Sequence, residues 1–307
     1  MLGLLVSLAA VAGVVWWALR QDAPDLPDTG GELGALAGAI GLYAIATLLR
    51  GERWQRLLVD DGAKPRRADT YALTVVGYTG NNLLPARAGD AIRVLLLAPR
   101  AQTGRRTVLG TLLAERLLDV AVILLLFVVV GYGVLGEAGA DGIGWVFLAV
   151  GAAAVLGTIA VVVVRRNERL HALFGPILSS SLGLKGRHGL EQLALTTVIW
   201  ALETGVWMAV GAAVGLPMSP VEGAYLVALA SVFSLIPSGP GYAGTQDAAA
   251  VIGIRAIGGS GATAVAYLLM LRFVLVVPIT LCGLALLAVR YGGLRRLRTL
   301  ARGEAAA

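Results

Sequence analysis

Two long apolar stretches of this 307-residue chain are each broken near the middle by the same pattern. The first break reads Asn81-Asn82-Leu83-Leu84-Pro85-Ala86-Arg87-Ala88-Gly89-Asp90, and the second reads Ile236-Pro237-Ser238-Gly239-Pro240-Gly241-Tyr242-Ala243-Gly244-Thr245-Gln246-Asp247. Pro85-x-x-Ala88-Gly89 superimposes on Pro240-x-x-Ala243-Gly244 at one fixed offset, and an Asp follows each closely. Both stretches are apolar enough to enter a bilayer. Irregular backbone at that depth is tolerated only where protein or a water-filled cavity covers it. Paired breaks in corresponding halves point to a transporter-like binding site.

A bilayer is the right solvent to assume. The chain is 57% hydrophobic and only 14% charged, with mean hydropathy +0.80, against about 25% charged residues in a soluble domain. No polar stretch is long enough for a separate soluble catalytic domain. Cys282 is alone in an apolar run, and both histidines, His171 and His188, fall in one polar loop, so neither a metal site nor a cofactor is expected. The run from Leu2 to Leu19 lacks a basic n-region and exceeds the ~7–15 apolar residues of a signal peptide, so it reads as a spanning helix.

Six segments match the ~20 residues that cross the hydrocarbon core: 2–19, 32–49, 107–135, 143–164, 191–214 and 262–289. The broken segments, 69–98 and 223–257, make two more elements. Lys and Arg gather in 50–67, 99–106, 165–188 and the tail, while the loops around Asp22–Glu32, Glu137–Asp141 and Glu222 are acidic. If both broken segments turn back as hairpins, 19 of the 25 Lys and Arg residues fall on one side. The positive-inside rule makes that side the cytoplasm. Arms of ~10–14 residues reach about the bilayer midplane.

The expected fold is therefore an all-α polytopic membrane protein with six spanning helices and two opposed re-entrant helical hairpins in an inverted repeat. A single membrane domain covers 1–307, with repeat halves 1–135 and 143–290 and a basic cytoplasmic tail, 291–307. Both termini are cytoplasmic in this reading. The echo of Arg116 by Arg272, each ahead of an apolar run, fits the repeat.

Charges inside the membrane are costly and normally face a cavity or a partner. Here they are Arg87, Asp90 and Arg93 in the first hairpin, Glu115, Arg116 and Asp119 in the next span, Glu203 alone, Asp247 in the second hairpin and Arg272 in the last span. Arg87, Arg93, Arg116 and Arg272 are candidate anion contacts, because a guanidinium stays charged and grips a phosphate by two parallel hydrogen bonds. Asn82, Tyr242 and Thr245 add hydrogen-bonding groups at the tips. Pro85, Gly89, Pro237, Pro240, Gly241 and Gly244 shape the turns, and Asp90 is placed to cap its outgoing arm. The competing reading of the acids and of Arg93 and Glu203 is structural, as ion pairs that hold the hairpins. Arg53-Trp54 reads as an interfacial anchor, and the basic loops as contacts with anionic lipid.

The motifs Asn82-x-x-Pro85-x-Arg87-x-Gly89-Asp90-x-x-Arg93, Glu115-Arg116-x-x-Asp119 and Pro237-x-x-Pro240-Gly241-x-x-Gly244-Thr245-x-Asp247 resemble the flippase-like integral membrane family. That family includes the transmembrane region of the lysylphosphatidylglycerol synthase/flippase proteins. Asp90 and Asp247 stand where the family often has Glu. The resemblance implies a protein that handles phospholipid, hopanoid-related or polyprenyl-linked lipid. The soluble aminoacyl-transfer domain of bifunctional members is not expected here, since the chain ends shortly after Arg302.

The expected function is translocation of a lipid with an anionic or zwitterionic phosphate-containing headgroup, without enzymatic chemistry. The alternatives are a membrane enzyme or subunit acting on lipid-linked phosphate, and an ion-coupled solute transporter. The expected partners are membrane lipids and a second copy or a lipid-modifying enzyme, not nucleic acid.

Overall fold

A computed structural model describes residues 2–84, 87–135, 186–234 and 239–293, with a few positions between 164 and 177. Among these the chain is helical and has no strand. The helices are α1 (Leu2–Ala18), α2 (Gly30–Asp60), α3 (Arg67–Leu83), α4 (Ala88–Leu97), α5 (Arg105–Leu135), α6 (Gly186–Ala213), α7 (Pro220–Phe233), α8 (Thr245–Ala256) and α9 (Gly261–Tyr291), with a 3₁₀ turn at Pro240–Tyr242 before α8. Among the described residues, α2, α6 and α9 are long and apolar enough to cross a membrane. The expected 143–164 span, Pro85, Pro237 and most of the tail lie outside the described residues.

Local chemistry fixes the helix starts. Thr29 Oγ1 accepts the Glu32 N–H at 3.3 Å, and the Glu32 carboxylate accepts the Thr29 N–H at 3.0 Å. Ser219 and Glu222 make the same reciprocal pair ahead of α7, at 3.3 and 2.7 Å. Each pair satisfies two backbone donors that a helix start leaves open. Ser260 caps α9 by accepting the Thr263 N–H at 3.0 Å, and Gly292, at φ +74°, closes its far end.

One expectation is corrected here. The second span does not stop at residue 49; α2 runs to Asp60 and takes in most of what read as a basic loop. Arg53 and Trp54 are not interfacial anchors, since they are 2% and 0% exposed. Arg50 and Arg53 have carboxylate partners on other helices, so the helix carries its charges inward instead of ending at them.

The packing has an internal symmetry. Exchange α2–α5 with α6–α9, and among the described residues each main helix contact within α2–α9 maps onto another. Helix α2 lies against its counterpart α6; α3 packs on α9 as α5 packs on α7; α3 pairs with α4 as α7 pairs with α8. Each half builds its own apolar core: Trp54, Leu58, Leu73, Val76, Leu96 and Leu97 in the first, Trp207, Val210, Leu226, Ala230 and Ile254 in the second. Each core borrows side chains from the other half, Tyr291 in the first and Ala39 in the second.

Contacts between loops tie the helix ends together. The Lys64 N–H donates to the Ala101 carbonyl at 3.2 Å, which joins the loop before α3 to the loop after α4. Asp69 accepts from Arg290 Nε at 3.2 Å and from the Tyr291 hydroxyl at 3.1 Å, bringing the end of α9 to the same place. At the opposite end, Gln21 after α1 packs against Gly261 at the start of α9.

Candidate functional site

The first break is made by close approach of α3 and α4. Gly80 faces Gly89 so closely that a Cβ on Gly80 would lie 2.6 Å from the Gly89 Cα. A Cβ on Gly89 would overlap the Gly77 carbonyl oxygen. The Gly89 N–H donates to Asn81 Oδ1 at 3.0 Å, so Asn81 shapes the turn. Arg87 caps α4 in the left-handed region, at φ 54° and ψ 37°.

The second break needs the left-handed region three times, at Gly241 (φ 60°), Tyr242 (φ 55°) and Gly244 (φ 89°). Glycine adopts it without steric cost. Asp247 accepts the Gly244 N–H at 2.8 Å and so caps α8. The equivalent expectation for Asp90 is corrected: α4 has no side-chain cap. Asp90 instead lies 3.7 Å from both Arg93 and Arg116. Asp90 and Asp247 nevertheless hold the same helical position, third after the N-caps Arg87 and Gly244. The helical register of the two halves therefore differs by two residues from the register of their Pro/Ala-Gly motifs.

Each of these Asp residues faces the arginine of the following helix. Arg272 bonds Asp247 through Nε at 2.7 Å and reaches the Gly241 carbonyl through Nη1 at 2.6 Å. Arg116 sits more loosely, 3.7 Å from Asp90 and 3.5 Å from Asp119. The two tips meet: a Cβ on Gly241 would stand 3.7 Å from the Asn82 carbonyl oxygen, and Asn82 Nδ2 donates to Thr280 Oγ1 of α9 at 3.1 Å.

Behind the tips runs a lattice of buried charge. Arg53 donates to Asp119 at 2.6 and 3.2 Å and to Thr196 at 3.0 Å, and lies 3.7 Å from Glu115. Arg93 donates to Glu115 at 2.9 Å and lies 3.8 Å over the Trp54 ring. Arg50 pairs with Glu203 of α6 at 2.7 Å. Such pairs repay the cost of desolvation only when geometry and further hydrogen bonds are good. The Arg53–Asp119 pair meets that condition, with Trp200 Nε1 adding a third donor to Asp119 at 3.2 Å.

Between lattice and tips lies a cavity with two lobes, of about 130 and 260 Å³. Arg50, Tyr78, Arg116, Glu203, Tyr242 and Gln246 border both. Arg272, Asp247, Asn82 and Tyr43 complete the smaller lobe; Arg87, Asp119, Trp200 and Trp207 complete the larger. Arg87 has no carboxylate partner among the described residues. Its Nη2 lies 3.5 Å from the Ser234 carbonyl, and its guanidinium stands 5.1 Å from the Tyr242 ring centre.

Seven of the eleven residues singled out as contacts thus border one cavity: Asn82, Arg87, Arg116, Asp119, Tyr242, Asp247 and Arg272. Asp90, Arg93 and Glu115 belong to the lattice behind it, and Thr245 is buried with its hydroxyl 3.5 Å from the Tyr242 carbonyl. Sequence reasoning missed Tyr43, Arg50 and Tyr78 as cavity residues. A signal existed: Tyr43, Thr47, Arg50 and Trp54 recur at helical spacing along one face of α2. The arginines on that face also satisfy the positive-inside rule, which conceals their inward direction in the sequence.

No solved structure matches. A curated relative, Glycosyltransferase AglD of Haloferax volcanii, is 24% identical over an alignment covering 83% of this chain. The chain spans about half of that relative, 48% of its length. The model of the lysylphosphatidylglycerol synthase transmembrane region matches residues 1–283. With that match over nearly its whole length, the chain belongs to the family of the lysylphosphatidylglycerol synthase transmembrane region.

Proposed function

We propose that this protein is a lipid translocase of the cytoplasmic membrane, moving a lipid with a phosphate-containing headgroup, and that it catalyses no covalent step. The observation that carries the reading is the cavity where the two breaks meet, bordered by Arg87 and Arg116. A cation with no carboxylate partner among the described residues, set among backbone irregularities that only a cavity makes tolerable, suits a phosphate that has left the membrane surface.

The matched helix contacts support an inverted repeat of halves 1–135 and 143–290. The arms α4 and α8, of 10 and 12 residues, are about 15 and 18 Å long. Neither crosses a ~30 Å core, so each break is a re-entrant hairpin, the first entering from the cytoplasm and the second from outside. The basic loops and both termini are cytoplasmic in this arrangement. The acyl or prenyl tails stay in the bilayer while the headgroup passes between the hairpin tips.

A second reading is favoured by the printed name of AglD. In it, the membrane helices present a lipid-linked phosphate to a glycosyl-transferring enzyme, and movement is incidental. Vesicles separate the two. The purified full chain, reconstituted with a tail-labelled fluorescent phospholipid, should expose inner-leaflet label to an external quencher. Arg87→Ala and Arg116→Ala should each slow that exposure about tenfold while remaining monodisperse. No movement by the native chain would overturn translocation, and unchanged rates in both variants would overturn the role given to the two arginines.

A further inference from the structure

The two lobes of the cavity belong to different seams of the bundle. Among the described residues, the smaller lobe, about 130 Å³, is bordered by α3 and α9 but not by α7. The larger, about 260 Å³, is bordered by α5 and α7 but not by α9. The internal symmetry that exchanges α3 with α7 and α9 with α5 therefore exchanges the two seams. Equivalent seams enclose unequal space, and their hydrogen bonds differ in the same sense.

The seam between α3 and α9 is tied along its length. At its base, Asp69 of α3 accepts from Arg290 Nε at 3.2 Å and from the Tyr291 hydroxyl at 3.1 Å. Near the tip, Asn82 Nδ2 donates to Thr280 Oγ1 at 3.1 Å. Between them, the Thr79 hydroxyl lies 3.1 Å from the Ile279 carbonyl of α9 and 3.1 Å from the Val75 carbonyl of its own helix. The approach is close enough that a Cβ on Gly283 would overlap Thr79 Oγ1. On α7 the hydroxyls turn back to their own helix. Ser231 donates to the Val227 carbonyl and Ser234 to the Ser231 carbonyl, each at 2.7 Å, and both serines border the larger lobe. Ser231 uses the acceptor four residues back that Thr79 also has within reach. A hydroxyl has one proton to give, so Thr79 can pass from Ile279 to Val75 without losing a hydrogen bond.

Helix α9 has a weak point beside this seam. Pro278 has no N–H, so the helical bond to the Val274 carbonyl is missing. Sharp bends in helices occur at such positions. Ahead of Pro278, Arg272 grips the second break through Asp247 and the Gly241 carbonyl. Beyond it, Ile279, Thr280 and Gly283 hold α3.

Resting on the lipid-moving function above, we infer that the α3–α9 seam is a gate, shut in this structure, that opens by a bend of α9 at Pro278. The α5–α7 seam is its counterpart on the opposite membrane face and the less closed of the two here. Opening carries the 279–291 arm of α9 away from α3. Thr79 then donates to Val75, and Arg272 stays on the second break. The cavity becomes continuous with the face where α3 begins and α9 ends, the cytoplasmic face in the arrangement proposed above.

Disulfide trapping in the full chain, with Cys282→Ala as background, tests the gate. Thr79→Cys with Gly283→Cys places two thiols across the seam. Lys64→Cys with Ala101→Cys joins two loops of a single hairpin and serves as control. The vesicles hold equal amounts of phosphatidylcholine and phosphatidylglycerol, with the tail-labelled phospholipid. Forming the first disulfide should slow label movement at least about tenfold, reversibly on reduction, and the control disulfide should change it less than about twofold. Gly283 is crowded, so Pro278→Ala supplies an independent arm that adds no side chain to the seam. By restoring the missing helical bond it should slow movement about tenfold, with the melting temperature unchanged or raised. A merely structural proline would leave the rate of movement at the native value. Undiminished movement with the first disulfide formed, or a native rate in Pro278→Ala, would overturn the gate and leave translocation standing. If the native chain moves no label, translocation falls and the gate with it.

Discussion

Arg272 grips the second break with short bonds to Asp247 and to the Gly241 carbonyl, whereas Arg116 stands 3.5 Å or more from each of its carboxylates at the first. The two arginines hold equivalent places in the two halves, yet one is committed to backbone and the other is not. The difference follows from the turns. The second break contains three left-handed residues in a row of four and exposes carbonyls that need a donor. The first is closed by Asn81 and by glycine-to-glycine packing. Its arginines, Arg87 and Arg116, are left to face the cavity. The same sequence pattern is thus closed in two ways, one break by an arginine clamp and the other by Asn81 and glycine packing.

The hardest test of this contrast is at the paired glycines. Gly89→Ala puts a methyl group into the Gly77 carbonyl, a backbone collision that no rotamer change relieves, and the variant should fail to yield monodisperse protein. Gly244→Ala meets the cost of a left-handed backbone, about 1–2 kcal/mol, and should survive purification with a lowered melting temperature. Equal losses in the two variants would break the distinction. An intermediate effect is expected at the arginines. Arg272→Gln should lower the melting temperature, with loss of about 1–3 kcal/mol, and reduce lipid movement only in proportion. Arg116→Gln should reduce movement about tenfold with a smaller thermal shift. The reverse pattern in differential scanning fluorimetry and vesicle assays would exchange the roles. The smallest effect concerns the arms that enter each break. Ser219→Ala removes a reciprocal cap from α7 and should cost about 1 kcal/mol, or roughly 2–4 °C. Arg66→Ala, at the uncapped start of α3, should stay within about 0.5 kcal/mol of the native chain.

Helix positions were readable in the sequence because apolar length and Gly/Pro breaks are local signals. Predicted spans at 2–19, 107–135, 191–214 and 262–289 lie within a few residues of α1, α5, α6 and α9, and both breaks fall where the pattern placed them. The end of α2 was not readable. Whether Arg50 and Arg53 terminate a span or turn inward depends on Glu203 and Asp119, far away in the chain. The same limit applies to the site. Arg87, Arg116, Tyr242, Asp247 and Arg272 stood out because charge and polarity are rare in such segments. Tyr43, Tyr78, Trp200 and Trp207 did not, since aromatic residues on apolar helices are ordinary until the fold turns them toward one cavity. Asp90 and Asp247 looked alike in sequence, but only Asp247 caps its helix, because Asp90 is drawn to two arginines.

The Arg53–Asp119 and Arg50–Glu203 pairs also bear on how the chain is made. Helix α2 is synthesised long before the acids of α5 and α6 that neutralise it. A lone arginine or aspartate inside a helix opposes release into lipid by up to ~2.5–3.5 kcal/mol. Helix α2 carries two arginines of this kind, and α5 carries Glu115 and Asp119 in return. Helix α2 is therefore expected to gain its full stability in the bilayer only once α5 and α6 have brought their acids to Arg53 and Arg50.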